Sequence, residues 1–519
     1  MVRNADELIF YQIYPKSFCD GNGDGVGDVE GILSKIEYLK DLGVNAVWLT
    51  PCFESPNADN GYDISDYLSL SPAFGTLEKF EEMLARFHGN GIAVILDLVA
   101  NHTSTKHPWF VEARKSKDNP YRDYYIWRKT PPNDWQSLFG GSAWEYDGQT
   151  GEYYLHSFAI EQADLNWDNP KVREEMKAVV DHWLKKGADG FRCDVLDMIS
   201  KDWEKNENGG GPRLHEYVRE LFARKETEGI FTVGECWSAD AENARLFCGK
   251  DRKELTAVFA FHHLCVEEGK FEMKKPPLCK VCGRIAEWQL ATQTAGIPAT
   301  LFLENHDQPR SVSRFGDDTV YRFESATLLG GLVLLHRGVP FLFQGGEIGV
   351  TNSHYEDMRA FDDVEEFNFY RANAGKMPEK EIFRRINAGG RDNARRMTPW
   401  TAETGKSWIA PYSRQSEINV ADDLRSERSV HAFYKKLIAL RKSEPCLTKG
   451  EYAKIALTEK YYIFERRYQG EKITAVCNFE TPSKIDGSGY GEVLLDNYDG
   501  DGKGTFGPYR LVVYKKRKE

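Results

Sequence analysis

The sequence predicts an α/β fold: a (β/α)8 barrel with a subdomain inserted after its third strand and an antiparallel β-sandwich domain at the C-terminus. Eight apolar, strand-like runs alternate with eight helical runs ahead of Pro445, which is the order of a parallel barrel. The strand runs are continuously apolar, as expected for a sheet that is buried on both faces. Beyond Pro445 the pattern changes to short alternating strands, which favours an antiparallel sandwich.

The predicted elements are short and spread over most of the chain. The strands are 9–13, 46–49, 93–98, 190–193, 230–234, 258–261, 300–303 and 340–343. The helices are 32–42, 77–90, 172–186, 214–228, 240–247, 284–294, 323–336 and 430–442. A TIM barrel occupies about 250 residues, so the chain of 519 residues has room for additional parts.

Two long intervals interrupt the alternation of strands and helices. Residues 102–169, rich in Trp, Tyr, Pro and Gly, separate the third strand from the third helix, and loops of this length are usually functional. A second insertion, about residues 344–428, follows the eighth strand. We therefore predict barrel segments 1–101 and 170–445, an inserted subdomain 102–169 and a C-terminal domain 446–519.

Composition excludes several classes of partner. The net charge is −12, which argues against binding to nucleic acid or anionic membranes. No stretch of about 18 apolar residues is present, so no transmembrane helix is expected. The first residues lack the apolar core of a signal peptide. We predict a cytoplasmic protein that is a monomer or a weak oligomer.

Ten cysteines are present, and we expect them to be free thiols in a reducing compartment. Cys193 and Cys236 each adjoin a carboxylate with a predicted chemical role, which is a poor place for a disulfide. Cys279 and Cys282 form the one close pair. A zinc site would need two further ligands at suitable spacing, so we interpret this pair as two thiols within a helix.

Three carboxylates lie at the ends of strand-like runs. Asp194 follows "GFRC", Glu235 follows "FTVG", and Asp307 follows "FLENH". An earlier run, "VILDLVANH", places Asp97 and His102 in the same way. In a (β/α)8 barrel the C-terminal ends of the strands converge on the active site. Paired carboxylates in one pocket are the groups that cleave glycosidic bonds, so the sequence predicts a glycosidase.

The motifs also resemble a known family. "DLVANH", "GFRCDV", "TVGE" and "ENHDQPR" occur in this order, accompanied by "FYQIYPKSF", "SPNADNGYDISDY", "QADLNW" and "GRDNAR". The chain resembles the α-amylase superfamily of glycoside hydrolases over nearly its whole length. Within that superfamily it is similar to the α-glucosidase branch, which includes oligo-1,6-glucosidase, dextran glucosidase and trehalose-6-phosphate hydrolase.

The resemblance implies roles for the three carboxylates. Asp194 would be the nucleophile and Glu235 the acid/base, while Asp307 would hold two hydroxyl groups of the sugar that is cleaved. Arg192 lies two residues before Asp194, so both side chains face the same side of a strand. A cation there favours the ionised form of Asp194. Glu235 must instead be protonated, which burial or nearby negative charge favours.

Further residues would bind the sugar. His102 and His306 would contact other hydroxyl groups. The resemblance implies that Asp63 fixes the terminal glucose, that Tyr62 stacks on the same ring, and that Arg391 clamps it. Charge-pairing alternatives exist for Asp63 and Arg391.

The segment "DGNGDGVGD" suggests a metal loop. Asp20, Asn22, Asp24 and Asp28 supply oxygen atoms at alternating positions, and the carbonyl of Val26 would complete the set. Oxygen ligands separated by glycines are typical of a Ca²⁺ loop, and the resemblance implies structural calcium or magnesium. The alternative is a turn rich in Gly and Asp that binds no metal. No organic cofactor is expected.

Two residues near the carboxylates bear on substrate choice. Val195 directly follows the predicted nucleophile, and in the branch that this chain resembles, Val at the matching position accompanies preference for α-1,6 linkages. Trp237, two residues after Glu235, would lie beside the leaving-group subsite. Ala163 and Glu304 also differ from the residues usual in relatives.

The function predicted is that of a retaining, exo-acting α-glucosidase that releases terminal α-glucose from short oligosaccharides, preferring α-1,6 linkages. The alternatives are a trehalose-6-phosphate hydrolase and a sucrose-cleaving or transglycosylating relative. A phosphate-handling subsite would need Lys274, Lys275 or Arg284 at the leaving-group side. A non-catalytic barrel is a remote alternative, because such proteins lose the carboxylates that this chain keeps.

Overall fold

The computed structural model describes residues 5–265, 269–272 and 274–517, and it confirms the predicted barrel. Eight parallel strands form one sheet: β1 Phe10–Ile13, β2 Ala46–Leu49, β3 Ala93–Val99, β4 Gly190–Asp194, β5 Phe231–Glu235, β6 Ala257–Phe259, β7 Thr300–Leu301 and β8 Val339–Phe343. The hydrogen-bonded order is β6-β5-β4-β3-β2-β1-β8-β7. Strands β6 and β7 lie in contact, which brings the two ends of the sheet together.

Close packing of β4 against β5 depends on one glycine. Gly190 has a φ of +156°, and a Cβ at this position would lie 1.8 Å from the carbonyl oxygen of Phe231. Only glycine therefore lets the start of β4 pair with the start of β5. The pairing continues to Cys193 opposite Gly234, and it places Asp194 and Glu235 at adjacent strand ends.

The outer helices follow the prediction with shifted ends. They are Val29–Ser34, Ile36–Leu42, Leu77–Gly89, Pro170–Lys185, Leu214–Phe222, Ala244–Cys248, Leu278–Ala295, Arg322–Leu334 and Val430–Ser443. The predicted first helix is divided at Lys35, and the predicted fourth ends at Phe222 and continues as a separate 3₁₀ turn, Lys225–Thr227. Side-chain caps define other starts, since the hydroxyls of Thr76 and Ser429 accept bonds from the amides of Lys79 and Ala432.

The interval after β3 folds as a small unit of its own. Trp127–Arg128, Trp144–Asp147 and Glu152–Leu155 form a three-stranded antiparallel sheet. A separate ribbon pairs His102–Ser104 with Gln162–Asp164. The ribbon therefore joins the beginning and the end of the insertion directly above β3.

The second insertion follows β8 and contains four α-helices joined by long loops. Its helices are Val364–Asn373, Glu379–Gly389, Asp392–Arg395 and Val420–Asp423. Buried side chains hold it together: Ala360, Phe361, Ile382, Phe383 and Ile386. This unit carries Arg391 and Arg395 to the end of the barrel where the strand-end carboxylates lie.

The C-terminal domain is the predicted antiparallel sandwich. Its larger sheet has the strand order Glu451–Leu457, Tyr461–Tyr468, Glu471–Asn478, Leu511–Lys516 and Glu492–Asp496, and a second ribbon pairs Ser483–Lys484 with Thr505–Phe506. Apolar side chains from both sheets form the core between them, among them Val476, Val512 and Phe506.

Cysteine placement agrees with the expectation of free thiols, because all ten are unpaired. Cys279 and Cys282 both lie in the helix Leu278–Ala295. Across the residues that the structure describes, no helix combines the length and apolar character needed to cross a membrane.

Candidate active site

A cavity of about 710 Å³ opens at the C-terminal ends of the barrel strands. Eight of the predicted site residues line it: Tyr62, His102, Asp194, Val195, Glu235, Trp237, Asp307 and Arg391. Three others, Asp63, Arg192 and His306, lie outside the lining and are buried. The structure thus gathers residues from several strand ends and from both insertions into one site.

Arg192 connects the carboxylates. Its Nη1 donates to Asp97 Oδ1 at 2.7 Å and to Asp194 Oδ1 at 2.8 Å, while its Nη2 donates to Glu235 Oε2. Asp97 lies directly opposite Arg192 in the parallel pairing of β3 with β4. One buried guanidinium therefore holds both predicted catalytic carboxyl groups in fixed positions.

The electrostatics of this cluster favour a shared proton. Burial raises the pKa of Asp194 well above its usual value, against the opposing effect of Arg192, and the charge of Glu235 raises it further. Burial likewise raises the pKa of Glu235, again opposed by Arg192. Two interacting carboxyl groups beside one cation lose their protons in separate steps. The pair is thus suited to hold one proton while its other member is charged.

Asp307 has the opposite electrostatics. Burial alone would raise its pKa, but His306, Arg395 and Arg391 hold the pKa well below its usual range. Its Oδ2 lies 2.9 Å from His306 Nε2, and its Oδ1 accepts a bond from Arg395 Nη2 at 2.8 Å. Asp307 is therefore ionised at neutral pH and is suited to accept bonds from hydroxyl groups.

His306 supports Asp307 from behind the cavity. Gln12 Nε2 lies 2.8 Å from His306 Nδ1, and because an amide nitrogen only donates, the ring proton belongs on Nε2. Burial lowers the pKa of His306, against the effect of Asp307. Tyr62 Oη lies 2.6 Å from the same Nε2. His306 thus orients Tyr62 and Asp307, and the predicted direct contact of His306 with sugar is not supported by its position.

The prediction for Asp63 needs correction. Asp63 is fully buried, and its carboxylate accepts bonds from Ser55 Oγ at 2.8 Å and from the amides of Ala58 and Asp59 at 3.0 and 3.1 Å. These bonds occupy both oxygens in shaping the loop. Asp59, four residues earlier, is the carboxylate that reaches the cavity.

Asp59 and Arg391 form an ion pair at the cavity wall. Arg391 Nη2 donates to Asp59 Oδ1 at 3.0 Å, and Gln162 Nε2 donates to Asp59 Oδ2 at 3.2 Å. Burial raises the pKa of Asp59 to about 6, and Arg391 opposes this. Arg391 also lies 2.7 Å from Asp363. Asp59 and Gln162 are not among the predicted site residues, although both occur in the motifs "SPNADNGYDISDY" and "QADLNW".

His102 lies at the cavity beside the inserted ribbon. Its Nε2 is 3.0 Å from Gln162 Nε2, so the same amide contacts both His102 and Asp59. Burial lowers the pKa of His102 to about 4. The ring is therefore neutral at physiological pH, and it lines the cavity.

Val195 has an unusual backbone. Its φ of 35° and ψ of 46° lie in the left-handed region, which is rare for a β-branched residue. Its amide donates to Glu235 Oε2 at 3.3 Å, and its side chain lines the cavity. Such strain clusters at functional sites, and here it lies in the turn directly after Asp194.

The remaining wall of the cavity is largely apolar. Trp237 is 51% exposed and Leu138 is 58% exposed, and both line the cavity together with Met198 and Leu264. Of the three cations considered for phosphate, Lys274 lines the cavity. Lys275 Nζ instead donates to Tyr509 Oη at 2.9 Å. Arg284 pairs with Glu287 on the surface of its helix.

The Asp20–Asp28 loop is closed by its own backbone. Asp20 Oδ1 accepts bonds from the amides of Asn22 and Gly23, Asn22 Oδ1 from Asp24, and Asp24 Oδ1 from Val26. Asp28 Oδ1 caps the following helix at Gly31. Within the described part of the chain, no group of three or more His, Cys, Asp and Glu side chains is arranged to hold a metal ion. The oxygens suit Ca²⁺ or Mg²⁺ chemically, and a cation at this loop stays a prediction.

Known proteins share this architecture. Residues 12–450 match the catalytic domain of the α-amylase family. The oligo-1,6-glucosidase of Halalkalibacterium halodurans is 42% identical over 98% of this chain and 98% of its own length. The trehalose-6-phosphate hydrolase of Bacillus subtilis is 40% identical over 99% and 98%. The solved trehalulose synthase of Pseudomonas mesoacidophila is 36% identical, with a TM-score of 0.94 over 98% of this chain and 99% of its own.

The family match spans the barrel, and the relatives align with nearly the whole chain. Asp194 and Glu235, at the ends of β4 and β5 and both bonded to Arg192, lie where a (β/α)8 enzyme places its chemistry, and Asp307 lines the same cavity. The chain belongs to the α-amylase family of glycoside hydrolases.

Proposed function

We propose that the protein is a retaining, exo-acting α-glucosidase that removes terminal α-glucose from short oligosaccharides. The observation that carries this proposal is the bonding of Asp194 and Glu235 to the single buried guanidinium of Arg192. That arrangement holds a charged carboxylate and a proton-bearing carboxyl group side by side. A retaining glycosidase needs this combination.

The reaction proceeds in two displacements. Glu235 protonates the glycosidic oxygen while Asp194 attacks the anomeric carbon, and the leaving sugar departs as an alcohol. Glu235, now a carboxylate, takes a proton from water, and that water displaces Asp194. The glucose released has the α configuration of the substrate. Asp307 accepts bonds from two hydroxyl groups and assists distortion of the ring.

The proposal of exo action rests on the cavity wall that lies opposite the leaving-group side. Asp59 and Arg391 meet there, and Tyr62 and His102 lie nearby on the same lining. Charged and polar groups at the end of a pocket bind the hydroxyls of a terminal sugar. A longer chain would have to displace the ion pair, so terminal glucose is favoured over polymer interiors.

Preference for α-1,6 linkages is supported by two observations. One relative is named an oligo-1,6-glucosidase, and the strained Val195 lines the cavity directly after the nucleophile. The second candidate is hydrolysis of trehalose 6-phosphate. It is favoured by the name of another relative and by Lys274 on the cavity wall. Sucrose cleavage and glucosyl transfer are further alternatives.

A panel of substrates tests these options. Glucose release is measured from isomaltose, maltose, trehalose, trehalose 6-phosphate and sucrose, and proton NMR records the first anomer formed. We expect isomaltose to give the highest kcat/KM, with α-glucose appearing before mutarotation. Initial β-glucose would mean an inverting mechanism. A highest kcat/KM for trehalose 6-phosphate would establish the second candidate.

The location, oligomeric state and cofactor content are further proposals. The acidic net charge and the free thiols favour a cytoplasmic enzyme. The enzyme would act as a monomer or a weak oligomer on small oligosaccharides. A structural Ca²⁺ or Mg²⁺ at Asp20–Asp28 would stabilise the fold, and no organic cofactor takes part in the reaction above.

A further inference from the structure

The two carboxyl oxygens of Glu235 have different surroundings. Oε2 accepts a bond from Arg192 Nη2 and another from the amide of Val195 at 3.3 Å. Oε1 accepts a bond from the indole Nε1 of Trp237 at 3.2 Å. Both lone pairs of Oε2 therefore already accept hydrogen bonds, and a proton on this oxygen would face the N–H groups that donate them. The proton that acid catalysis requires therefore belongs on Oε1.

The indole of Trp237 is held in a defined plane. Its ring stacks on Phe261 with centroids 4.1 Å apart and an angle of 13°. Phe261 is buried and packs edge-on against Phe302, 5.4 Å away. Stacked aromatic rings prefer fixed relative positions, so the direction of the Trp237 N–H is set. The half-exposed ring also lines the cavity, and its position is therefore not that of a core residue.

We propose that Trp237 is a positioning residue for Glu235, whose indole N–H occupies one lone pair of Oε1 and directs the catalytic proton to the other, on the cavity side. This inference rests on the proposed function, which makes Glu235 the acid/base. The charged groups that face Glu235 are Arg192, Asp97, Asp194 and Asp307, and none of them changes when Trp237 is replaced.

Trp237→Phe provides the test, because phenylalanine keeps an aromatic ring beside Phe261 and removes the five-membered ring of the indole together with its N–H. Isomaltose has a poor leaving group that must be protonated, whereas 4-nitrophenyl α-glucoside has one that departs without help. We expect kcat/KM for isomaltose to fall about tenfold, the order expected for one lost hydrogen bond to a carboxyl group. The nitrophenyl substrate should lose no more than about threefold, since only the acid step depends on that bond.

The pH profile gives a second readout. A donor to the carboxylate favours its charged form, so loss of the indole N–H raises the pKa of Glu235. The protonated form is the active one, and the basic limb of kcat/KM for isomaltose should move to higher pH by about half a unit or more. If both substrates lost activity equally and the basic limb of kcat/KM did not move, Trp237 would only line the cavity. That result would overturn the proposal. Unchanged isomaltose hydrolysis would overturn it as well.

Two further variants separate the possible failures. Phe261→Leu weakens the stack but leaves the indole, and should show the same substrate pattern to a smaller extent; it replaces Trp237→Phe if that variant does not fold. Glu235→Gln tests the underlying assignment. Full isomaltose activity in Glu235→Gln would refute the proposed function itself. An impaired Glu235→Gln combined with no selective loss in Trp237→Phe would refute only the role of Trp237.

Discussion

Asp59 and Arg391 lie 332 positions apart in the chain, yet Arg391 Nη2 donates to Asp59 Oδ1 at 3.0 Å on the cavity wall. The loop after β2 supplies the carboxylate, and the helical insertion after β8 supplies the guanidinium. Both loops follow C-terminal strand ends of one barrel, which is why they meet. The ion pair therefore also joins two segments of the cavity wall.

The two aspartates of this loop give a matched pair of variants. Asp59→Asn should lower kcat/KM for isomaltose by about 10–100-fold, the range for loss of charged hydrogen bonds, and should change the Tm little. Asp63→Asn should mainly lower the Tm, because Asp63 bonds its own loop. Steady-state kinetics and thermal unfolding measure both effects. A larger kinetic loss in Asp63→Asn than in Asp59→Asn would restore the assignment made from sequence.

Asp59 and Asp63 show what could not be predicted from the sequence alone. Asp194 and Glu235 were predicted because each one ends a strand whose apolar run is visible in the sequence, and the structure places both at the ends of β4 and β5. Asp59 and Asp63 share one loop, and no periodic pattern in its sequence indicates which of the two carboxylates faces the cavity. That choice depends on the backbone amides of Ala58 and Asp59, which are satisfied by Asp63.

The site residues of the second insertion were equally hard to predict from the sequence. Arg391 was assigned to the site through its motif, but Asp363, which pairs with both Arg391 and Arg395 at 2.7 and 2.9 Å, belongs to no motif. It caps the start of the helix Val364–Asn373, and its partners in the fold are far from it in the sequence. The alternation of barrel strands and helices was predictable because it is a local pattern in the sequence. These ion pairs join residues that are distant in the sequence, so no local pattern indicates them.

Replacing Asp194, the proposed nucleophile, should greatly reduce turnover. Asp194→Asn keeps the size of the side chain but removes the charge that attacks the anomeric carbon. Loss of a covalent nucleophile costs several orders of magnitude in kcat, and we expect at least a 1,000-fold decrease (~10³). Circular dichroism should show the wild-type fold. Near-normal turnover by the purified variant would contradict the role of Asp194.

Acid should destabilise the protein partly through His336. This histidine is buried between the barrel and the C-terminal domain, stacked on Phe464 at 4.0 Å, with Nε2 3.0 Å from Tyr462 Oη. Burial lowers its pKa to about 3, so the unfolded chain binds the proton more readily than the folded protein does. Its contribution to stability is complete above about pH 6.5 and is lost as the pH falls toward the folded value.

His336→Phe isolates that contribution. The wild-type free energy of unfolding should fall with decreasing pH more steeply than that of the variant, by up to about 1.4 kcal/mol per pH unit between pH 6.5 and 4. Denaturant titrations at several pH values measure the two slopes. Parallel slopes over this range would show that folding does not lower the pKa of His336.

The oxygen-rich loop should respond to chelation if it binds an ion. Chelator treatment should then lower the Tm, while the anomer released and the pH profile stay unchanged, because the loop takes no part in the reaction. Asp20→Ala should lower the Tm and abolish the response to chelator. A calorimetric scan of the wild type that chelator leaves unaltered would favour a turn closed only by its own hydrogen bonds.

Val195 is expected to select between linkages. An α-1,6 bond carries an extra rotatable carbon, so its leaving group departs along a different line from that of an α-1,4 bond. A β-branched side chain is stiff, and the backbone of Val195 is held by its bond to Glu235. The isopropyl group would therefore crowd the α-1,4 path and spare the other. Shape differences of this size change kcat/KM by about 10–200-fold.

Val195→Ala removes the crowding groups, and Val195→Thr keeps the volume but adds a hydroxyl that can bond to the leaving sugar. The ratio of kcat/KM for isomaltose to that for maltose should fall in both variants, and the alanine variant tests the steric reason by itself. Asp194 and Glu235 are untouched, so activity on 4-nitrophenyl α-glucoside serves as the control for intact chemistry. If that control is preserved and the ratio stays constant in both variants, the selector lies elsewhere on the leaving-group wall, and Val195 serves to hold the amide that faces Glu235.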